Sequence, residues 1–277
     1  MEWMNYCKQC IPLLERTYRN RMGTSLNLSQ PKTFTEKVQW LKIYDSTYLK
    51  TFCSDKITLH NYCTKKLGHD ICIPMLYKYK HPSEIKFDSL PNGVVFKCNH
   101  GSGYNIICKP NTPIYRDKIC STLLNWLSQD FSTKNGSELH YKLIPHQILI
   151  EPYMNDGNFD LIDYKFYCFN GNPIFCQVIT DRNTSEHISH YTTSWEYEPK
   201  YDWTEFDSVP NLEKPEFFDT MLEYSRILSV DFKLVRVDFY VINHALYLGE
   251  LTFTPNSGFH HFKNPNTDML LGEMLKL

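Results

Sequence analysis

Asp238 and Glu250 are the residues with the clearest chemical potential. They lie in two short apolar runs, LVRVDFYVI and LYLGELTFT, that read as the arms of a hairpin. If the connecting loop is Asn243-His244-Ala245, Ile242 faces Leu246 and Asp238 lies directly across from Glu250. Alternation with period two then puts Arg236 and Thr252 on the same face. Val235, Val237, Phe239, Leu251 and Phe253 turn the other way, into a core. Carboxylates directly opposite each other repel unless a cation lies between them. Oxygen ligands on neighbouring strands suit Mg²⁺, which keeps waters and substrate phosphates in its shell. A solvated outer face, with Arg236 offsetting the acids, accounts for the same residues. The geometry depends on the loop, because a two-residue turn would send Asp238 and Glu250 to opposite faces.

A second chemical stretch is VVFKCNHGSGYNIICKP, Val94 to Pro110. A strand ends at Lys97, and the glycines after it let backbone N–H groups approach an anion. The lysine supplies a point charge for a phosphate. Neither G-x-x-x-x-G-K-[ST] nor G-x-G-x-x-G is present, so a hairpin with a glycine tip explains the local pattern as well. Lys165 in DYKF and Arg182 in ITDRN are candidate cations for an acceptor carboxylate. His187 and His190 have the spacing of a metal pair but no evident third ligand, and read as ordinary histidines, as do His260 and His261. No Ser-His-Asp or Cys-His arrangement stands out.

Positioning these residues requires a mixed scaffold. The first part of the chain reads helical: YCKQCIPLLERTYRNRM, then KTFTEKVQWLKIYD with a Thr33/Glu36 capping box, then SDKITLHNYCTKKLG with Ser54 as cap and Gly68 as stop. Strands follow at ICIPMLYKY, GVVFKC and YNIICK, then a helix at RDKICSTLLNWLSQDF. QILIEPYM, DYKFYCFNGNPIFCQVITD and HYTTSWEYE read as further strands, with Asn170-Gly171 as a hairpin turn. Helices at KPEFFDTMLEYSRILS and TDMLLGEMLKL flank the Asp238/Glu250 hairpin. Helices mixed with antiparallel strands, without βαβ alternation, define an α+β protein.

Composition narrows the function classes. The 277 residues suffice for two compact lobes and a sizeable core. A formal net charge of -2 gives no electrostatic reason to expect nucleic acid or an anionic membrane. No apolar run reaches membrane-spanning length, and MEWMNYCKQC lacks the pattern of a signal peptide, so the expectation is a cytoplasmic protein. Ten scattered cysteines, with Cys7 and Cys10 as the one C-x-x-C, are expected to be reduced and mostly buried. Arg16, Arg19, Arg21, Lys32, Lys37 and Lys42 form a basic N-terminal group, read either as an anion-binding surface or as a solvated face.

The order of these segments resembles the ATP-grasp ligases, and more closely their TupA-like branch, named for teichuronopeptide biosynthesis. PKTFTEKVQWLKIYD, FKCNHGSGYNIICK, DYKFYCFNG and GELTFTPNSGF are similar to that branch's hallmark segments, and the likeness runs from about Tyr18 to Leu277. It implies an ATP-grasp fold: residues 1-70 packed as a helical segment on the body, 71-147 as the small lobe and 148-277 as the large lobe. It implies that Lys56 and Lys97 contact the nucleotide and that His100, Gly101, Ser102 and Gly103 close over its phosphates. Ile150, Glu151 and Tyr153 fall in the adenine-reading hinge, and Asp163 at the ribose. Arg236 faces the transferred phosphate, while Asp238 and Glu250 hold one or two Mg²⁺. Thr252 stands where many such ligases have asparagine; its hydroxyl can contact metal-bound water or phosphate, and Asn256 is a candidate to compensate. The implied activity is ADP-forming carbon–nitrogen ligation through an acyl phosphate. The implied substrates are ATP, a uronic acid or its nucleotide sugar, and an amine or amino acid, in bacterial surface-polysaccharide synthesis beside the envelope machinery. A sugar kinase, a glycosyltransferase-like protein and a module whose nucleotide site has decayed are the alternatives.

Overall fold

The computed structural model describes residues 2–134, 136–155, 157 and 160–277. Five helices come first: α1 (Glu2–Gln9), α2 (Ile11–Met22), α3 (Phe34–Tyr44), α4 (Tyr48–Ser54) and α5 (Leu59–Leu67). The expected first helix is two, because Pro12 starts a new one. The capping box at α3 is present: Thr33 accepts from the Glu36 N–H, and the Glu36 carboxylate accepts from the Thr33 N–H. Ser54 does not cap the third predicted helix. It ends α4, with its hydroxyl donating back to the Lys50 carbonyl, and α5 starts five residues later and stops at left-handed Gly68.

A four-stranded sheet follows, in the order β1-β4-β2-β3: β1 (Tyr77–Tyr79), β2 (Val94–Cys98), β3 (Asn105–Cys108) and β4 (Ile148–Pro152). ICIPMLYKY contributes only β1, since Pro74 interrupts the run, and Cys72 instead makes an isolated parallel bridge to Leu248. Helix α6 (Arg116–Leu127) packs on this sheet over Val94, Phe96, Cys98, Ile148 and Ile150. Because β4 lies inside the small sheet, the chain leaves that sheet after Pro152, and a boundary at 147/148 cuts through it.

The second sheet has five strands in the order β7-β6-β5-β8-β9: β5 (Asp163–Phe169), β6 (Asn172–Thr180), β7 (His187–Thr192), β8 (Leu234–Ile242) and β9 (Ala245–Thr252). One face carries Phe166, Val178, Val237, Phe239 and Leu251 into the largest core, shared with α5 and α7 (Phe218–Ser229). On the other face Tyr167, Phe169, Phe175 and Leu234 pack against Phe34 and Val38 of α3 and Leu271 of α8 (Thr267–Met274). The rest of that face holds the charged residues.

The basic N-terminal group is not one solvated face. Lys37 Nζ donates to the Gly272 and Leu275 carbonyls at the end of α8. Lys42 is buried, donating to the Gly136 and Ser257 carbonyls, and burial pushes its ammonium down to about 7.

Candidate functional site

The catalytic-looking hairpin reaches the expected pairing by an unexpected route. Its loop has two residues, Asn243 and His244, both left-handed, and Ile242 pairs with Ala245 rather than Leu246. That turn alone would put Asp238 and Glu250 on opposite faces. A bulge at Gly249 inserts one extra residue in β9 and restores the parity, so Asp238 pairs with Glu250 and Arg236 with Thr252. The Asn170-Gly171 hairpin does the same: a bulge at Ile174, beside Pro173, makes Lys165 pair with Gln177.

These two bulges align a row of polar side chains across all five strands: His190, Gln177, Lys165, Asp238 and Glu250. Arg236 holds Asp238 through two bonds, Nε to Oδ1 and Nη2 to Oδ2, each 2.7 Å. Lys165 Nζ adds a third at 2.6 Å and also pairs with Asp163 at 2.9 Å. Burial works to raise the Asp238 carboxyl, but Arg236 and Lys165 outweigh it and hold the group at about 2. Burial likewise opposes the Arg236 charge, and Asp238 overcomes it, so the guanidinium stays protonated. Glu250 is freer: it lies 3.4 Å from Arg236 Nη2 and accepts the Thr252 hydroxyl at 3.0 Å.

Asp163 is almost fully buried and accepts from Lys165, Arg182 and Tyr240. Arg182 pairs with it at 2.8 Å while its side chain stays 44% exposed, against 7% for Lys165. Of the two candidate acceptor cations, Arg182 is therefore the one solvent can reach. Asn256 uses its amide to donate to the Phe259 carbonyl. It lies second in the PNSG turn (Pro255–Gly258), where Asn256, Ser257 and Gly258 are all left-handed and Gln39 of α3 donates to the Gly258 carbonyl at 2.9 Å.

On the small sheet, Lys97 and Glu151 share a face and form an ion pair. Lys56 sits in the turn after α4 and donates to the Gly101 carbonyl at 2.8 Å. Burial lowers its ammonium, with Glu250 opposing, Lys97 adding to the shift and Glu151 opposing again. Lys56 thus feels charges from both sheets. The glycine loop is anchored by a residue that the sequence reading passed over. Asn99 is buried, donates to Asp55 Oδ1 at 2.9 Å and the Pro145 carbonyl at 3.0 Å, and accepts the Gln147 N–H. The same Asp55 oxygen accepts the Ile57 N–H and shapes the turn that presents Lys56. His100 points inward, stacked on His146, and burial pushes it down to about 4. Gly101 has no room for a Cβ, which would lie 2.7 Å from Phe131, whereas Gly103 is open but left-handed at φ 74°. In the hinge segment the Ile150 carbonyl accepts from Leu76 and the Tyr153 N–H donates to Gly93, leaving Glu151 and Pro152 between them.

Gln177 and His190 were also not singled out as a pair. Asp202 accepts from His190 Nδ1 at 3.0 Å, and His190 Nε2 accepts from the Gln177 amide at 3.1 Å. Buried Gln177 Oε1, Tyr167 Oη and both His260 nitrogens have no hydrogen-bond partner among the described residues. A known register would have revealed this row by simple alternation, but the bulges hide it from the sequence.

Two sheets with a glycine loop on one and an acidic hairpin on the other define the ATP-grasp class. The chain belongs to the TupA-like ATPgrasp family, whose model matches residues 36–276. No curated protein matches it. Similar solved structures include D-alanine–D-alanine ligase from Bacillus anthracis complexed with ATP, at 17% identity and TM-score 0.41, covering 73% of this chain and 54% of that one. D-alanine–D-alanine ligase from Helicobacter pylori is 17% identical, at TM-score 0.43 over 82% and 62%. The ATP-grasp ligase PsnB, complexed with minimal precursor, Mg and ADP, is 10% identical, at TM-score 0.42 over 84% and 60%. The chain therefore spans about half to three-fifths of the length of these solved chains. No described helix is long and apolar enough to cross a membrane.

Proposed function

We propose that this chain is an ADP-forming carboxylate–amine ligase that uses Mg²⁺-ATP. Its acceptor would be a sugar acid of the uronic type and its amine an amino acid or related compound, in bacterial surface-polysaccharide synthesis. The observation that carries the ligase reading is the charged row Lys165–Asp238–Glu250, with Arg236 beside it and with Lys56 feeling both Glu250 and Lys97. The polysaccharide substrate rests on the family resemblance.

The oxygen-rich donor set fits a hard cation: Asp238, Glu250 and Thr252 would hold Mg²⁺, which supplies charge neutralisation at the phosphates. Arg236 and Lys165 already occupy three of the roughly four lone-pair sites of Asp238, one on Oδ1 and two on Oδ2, so the carboxylate opens further to an ion as either cation turns toward phosphate. Lys97, Lys56 and the loop from His100 to Gly103 would bind the phosphate chain. The acceptor carboxylate, held by Arg182, attacks the γ-phosphorus; a new O–P bond forms, the bond to the β,γ-bridging oxygen breaks, and ADP leaves. The neutral amine then attacks the acyl carbon, a C–N bond forms, the carbon–oxygen bond to the phosphate breaks, and the nitrogen passes a proton to the departing phosphate or solvent, leaving an amide. Positioning and electrostatics suffice for this chemistry, and no side-chain nucleophile is needed.

The test is ADP release from Mg²⁺-ATP with pooled uronic acids or their nucleotide sugars, with and without pooled amino acids. ADP that requires both pools supports the ligase. ADP that forms without amine and is not trapped as a hydroxamate by hydroxylamine would replace it with a kinase.

A further inference from the structure

We propose that His60, Cys63, Asp70 and Cys72 form a zinc site that braces the edge of the catalytic sheet. His60 Nδ1, an Asp70 oxygen and Cys72 Sγ lie within 4.8 Å of one another. Asp70 is oriented for this role: its Oδ1 accepts the Cys72 N–H at 2.9 Å, while its Oδ2 lies 2.7 Å from His60 Nδ1. Cys63 is the candidate fourth donor: it follows His60 by three residues on α5, and its buried thiol now donates to the His69 carbonyl at 3.9 Å, next to Asp70 in the chain.

The local fold explains the convergence. His60 and Cys63 are three apart on α5 and share one face of the helix. Left-handed Gly68 then reverses the chain and returns Asp70 and Cys72 to that face. Two sulfurs, one imidazole nitrogen and one carboxylate oxygen are a borderline-soft set that suits tetrahedral Zn²⁺ and not Mg²⁺. Zinc bonds of about 2.0–2.3 Å place neighbouring ligand atoms roughly 3.3–3.8 Å apart, so His60, Asp70 and Cys72 close around the ion by about an ångström, and the Cys63 thiol turns to it from the His69 carbonyl. Loading releases the two thiol protons and leaves a complex of net charge -1, from two thiolates, one carboxylate and Zn²⁺. The cysteines are buried while His60 and Asp70 reach the surface, so the ion enters from the histidine–aspartate side. Cysteine spacing alone gave no zinc signature, because half of the ligands are not cysteine.

The site has a structural consequence. Ile71 and Ile73 flank Cys72 and bond to the two backbone groups of Leu248: the Leu248 N–H donates to the Ile71 carbonyl at 2.8 Å, and the Ile73 N–H to the Leu248 carbonyl at 3.3 Å. Leu248 immediately precedes the Gly249 bulge, and Glu250 follows it. The ion would thus clamp α5 to the strand segment that sets the position of Glu250.

The experiment is metal analysis and Co²⁺ titration of the whole protein in excess Mg²⁺, which competes with Co²⁺ for all-oxygen donors and not for thiolates. The expected result is about one equivalent of Zn²⁺ per chain and, with Co²⁺, a thiolate charge-transfer band with the intense visible bands of a tetrahedral site. Both should disappear in Cys72→Ser and His60→Gln and persist in Cys120→Ser. His60→Gln changes a surface side chain and keeps the test readable if Cys72→Ser does not fold. Absence of tight Zn²⁺ or Co²⁺ binding, or equal binding in His60→Gln, overturns the proposal. So does a Cys63–Cys72 disulfide in the metal-free protein as isolated, detected by peptide mass, which would make the pair a redox couple instead.

Discussion

Gly249→Ala tests whether Tyr240 forces glycine at the bulge that precedes Glu250. A Cβ at Gly249 would lie 2.6 Å from Tyr240 Cε2, and ordinary contact begins at 3.4 Å, so the ring must retreat by roughly 0.8 Å. Tyr240 is not free to do so, because its hydroxyl donates to Asp163 Oδ1 at 2.9 Å. Overpacking of this kind costs about 1–3 kcal/mol. Removing a glycine from a strand returns roughly 0.5 kcal/mol or more. The net loss is about 0.5–2.5 kcal/mol, read as a fall in Tm of roughly 1–10 °C for a chain of this size. The decisive measurement is a double-mutant cycle by urea unfolding. In a Tyr240→Ala background the ring is absent, the nearest remaining atom is the Asp238 carbonyl oxygen at 3.5 Å, and Gly249→Ala becomes neutral or slightly stabilising. A coupling of at least about 1 kcal/mol is therefore expected. Equal cost in both backgrounds, or no cost in the wild type, would refute the argument that Tyr240 forces glycine at the bulge.

Lys97→Ala should abolish ADP formation while the protein remains folded, since the Lys97–Glu151 pair keeps some solvent access and the Lys56 charge still acts on Glu151; circular dichroism with the ADP assay checks both halves. His260→Phe should flatten the acid side of the stability curve. Burial pushes His260 down to about 3 in the folded protein, and the unfolded chain takes up its proton near pH 6.5. The folded state thus has its full stability above pH 6.5 and loses it as pH falls from there toward about 3, reaching roughly 2 kcal/mol at pH 5. The phenylalanine variant, which can keep the stack on Phe262, should show a slope shallower by up to about 1.4 kcal/mol per pH unit in urea unfolding between pH 5 and 6.5. Mg²⁺ without nucleotide should leave Tm unchanged, whereas Mg²⁺-ATP should raise it; a calorimetric signal for tight binding of Mg²⁺ alone would show that Asp238 is available without ATP.

Much of the scaffold was legible because its signals are local. The Thr33/Glu36 box, the Asn170-Gly171 turn and Gly68 each act within a few residues, and each element formed where its chemistry said. The charged hairpin was legible in outcome but not in mechanism. A turn of two residues and a bulge of one shift the register by the same parity as a turn of three, so counting along the sequence cannot separate them. Ser54 misled because a serine that caps one helix has the same composition as a serine that ends the previous one. The Asn99–Asp55 clasp joins residues 44 positions apart, and His190–Gln177 depends on a register set by Ile174. No local pattern announces such contacts, because both partners are ordinary polar residues until the fold brings them together.

The charges of the site share one property that bears on how it would work. Each cation proposed for phosphate already has a protein partner: Lys97 has Glu151, Lys56 has the Gly101 carbonyl, and Arg236 and Lys165 have Asp238. An unpaired buried charge is costly, and a paired one is tolerated. Nucleotide binding on the proposed reading is therefore an exchange of partners rather than a fresh burial of charge. When Arg236 or Lys165 turns to a phosphate, an Asp238 oxygen is released, held ionised by its low pKa and ready for a cation that arrives with the nucleotide. The pairing explains why Asp238 is both the most tightly held acid of the row and the one proposed to hold metal. It also gives Glu250, the least engaged acid of the hairpin, the first contact with an incoming ion, which is why the bulge that aims it matters more than its own hydrogen bonds.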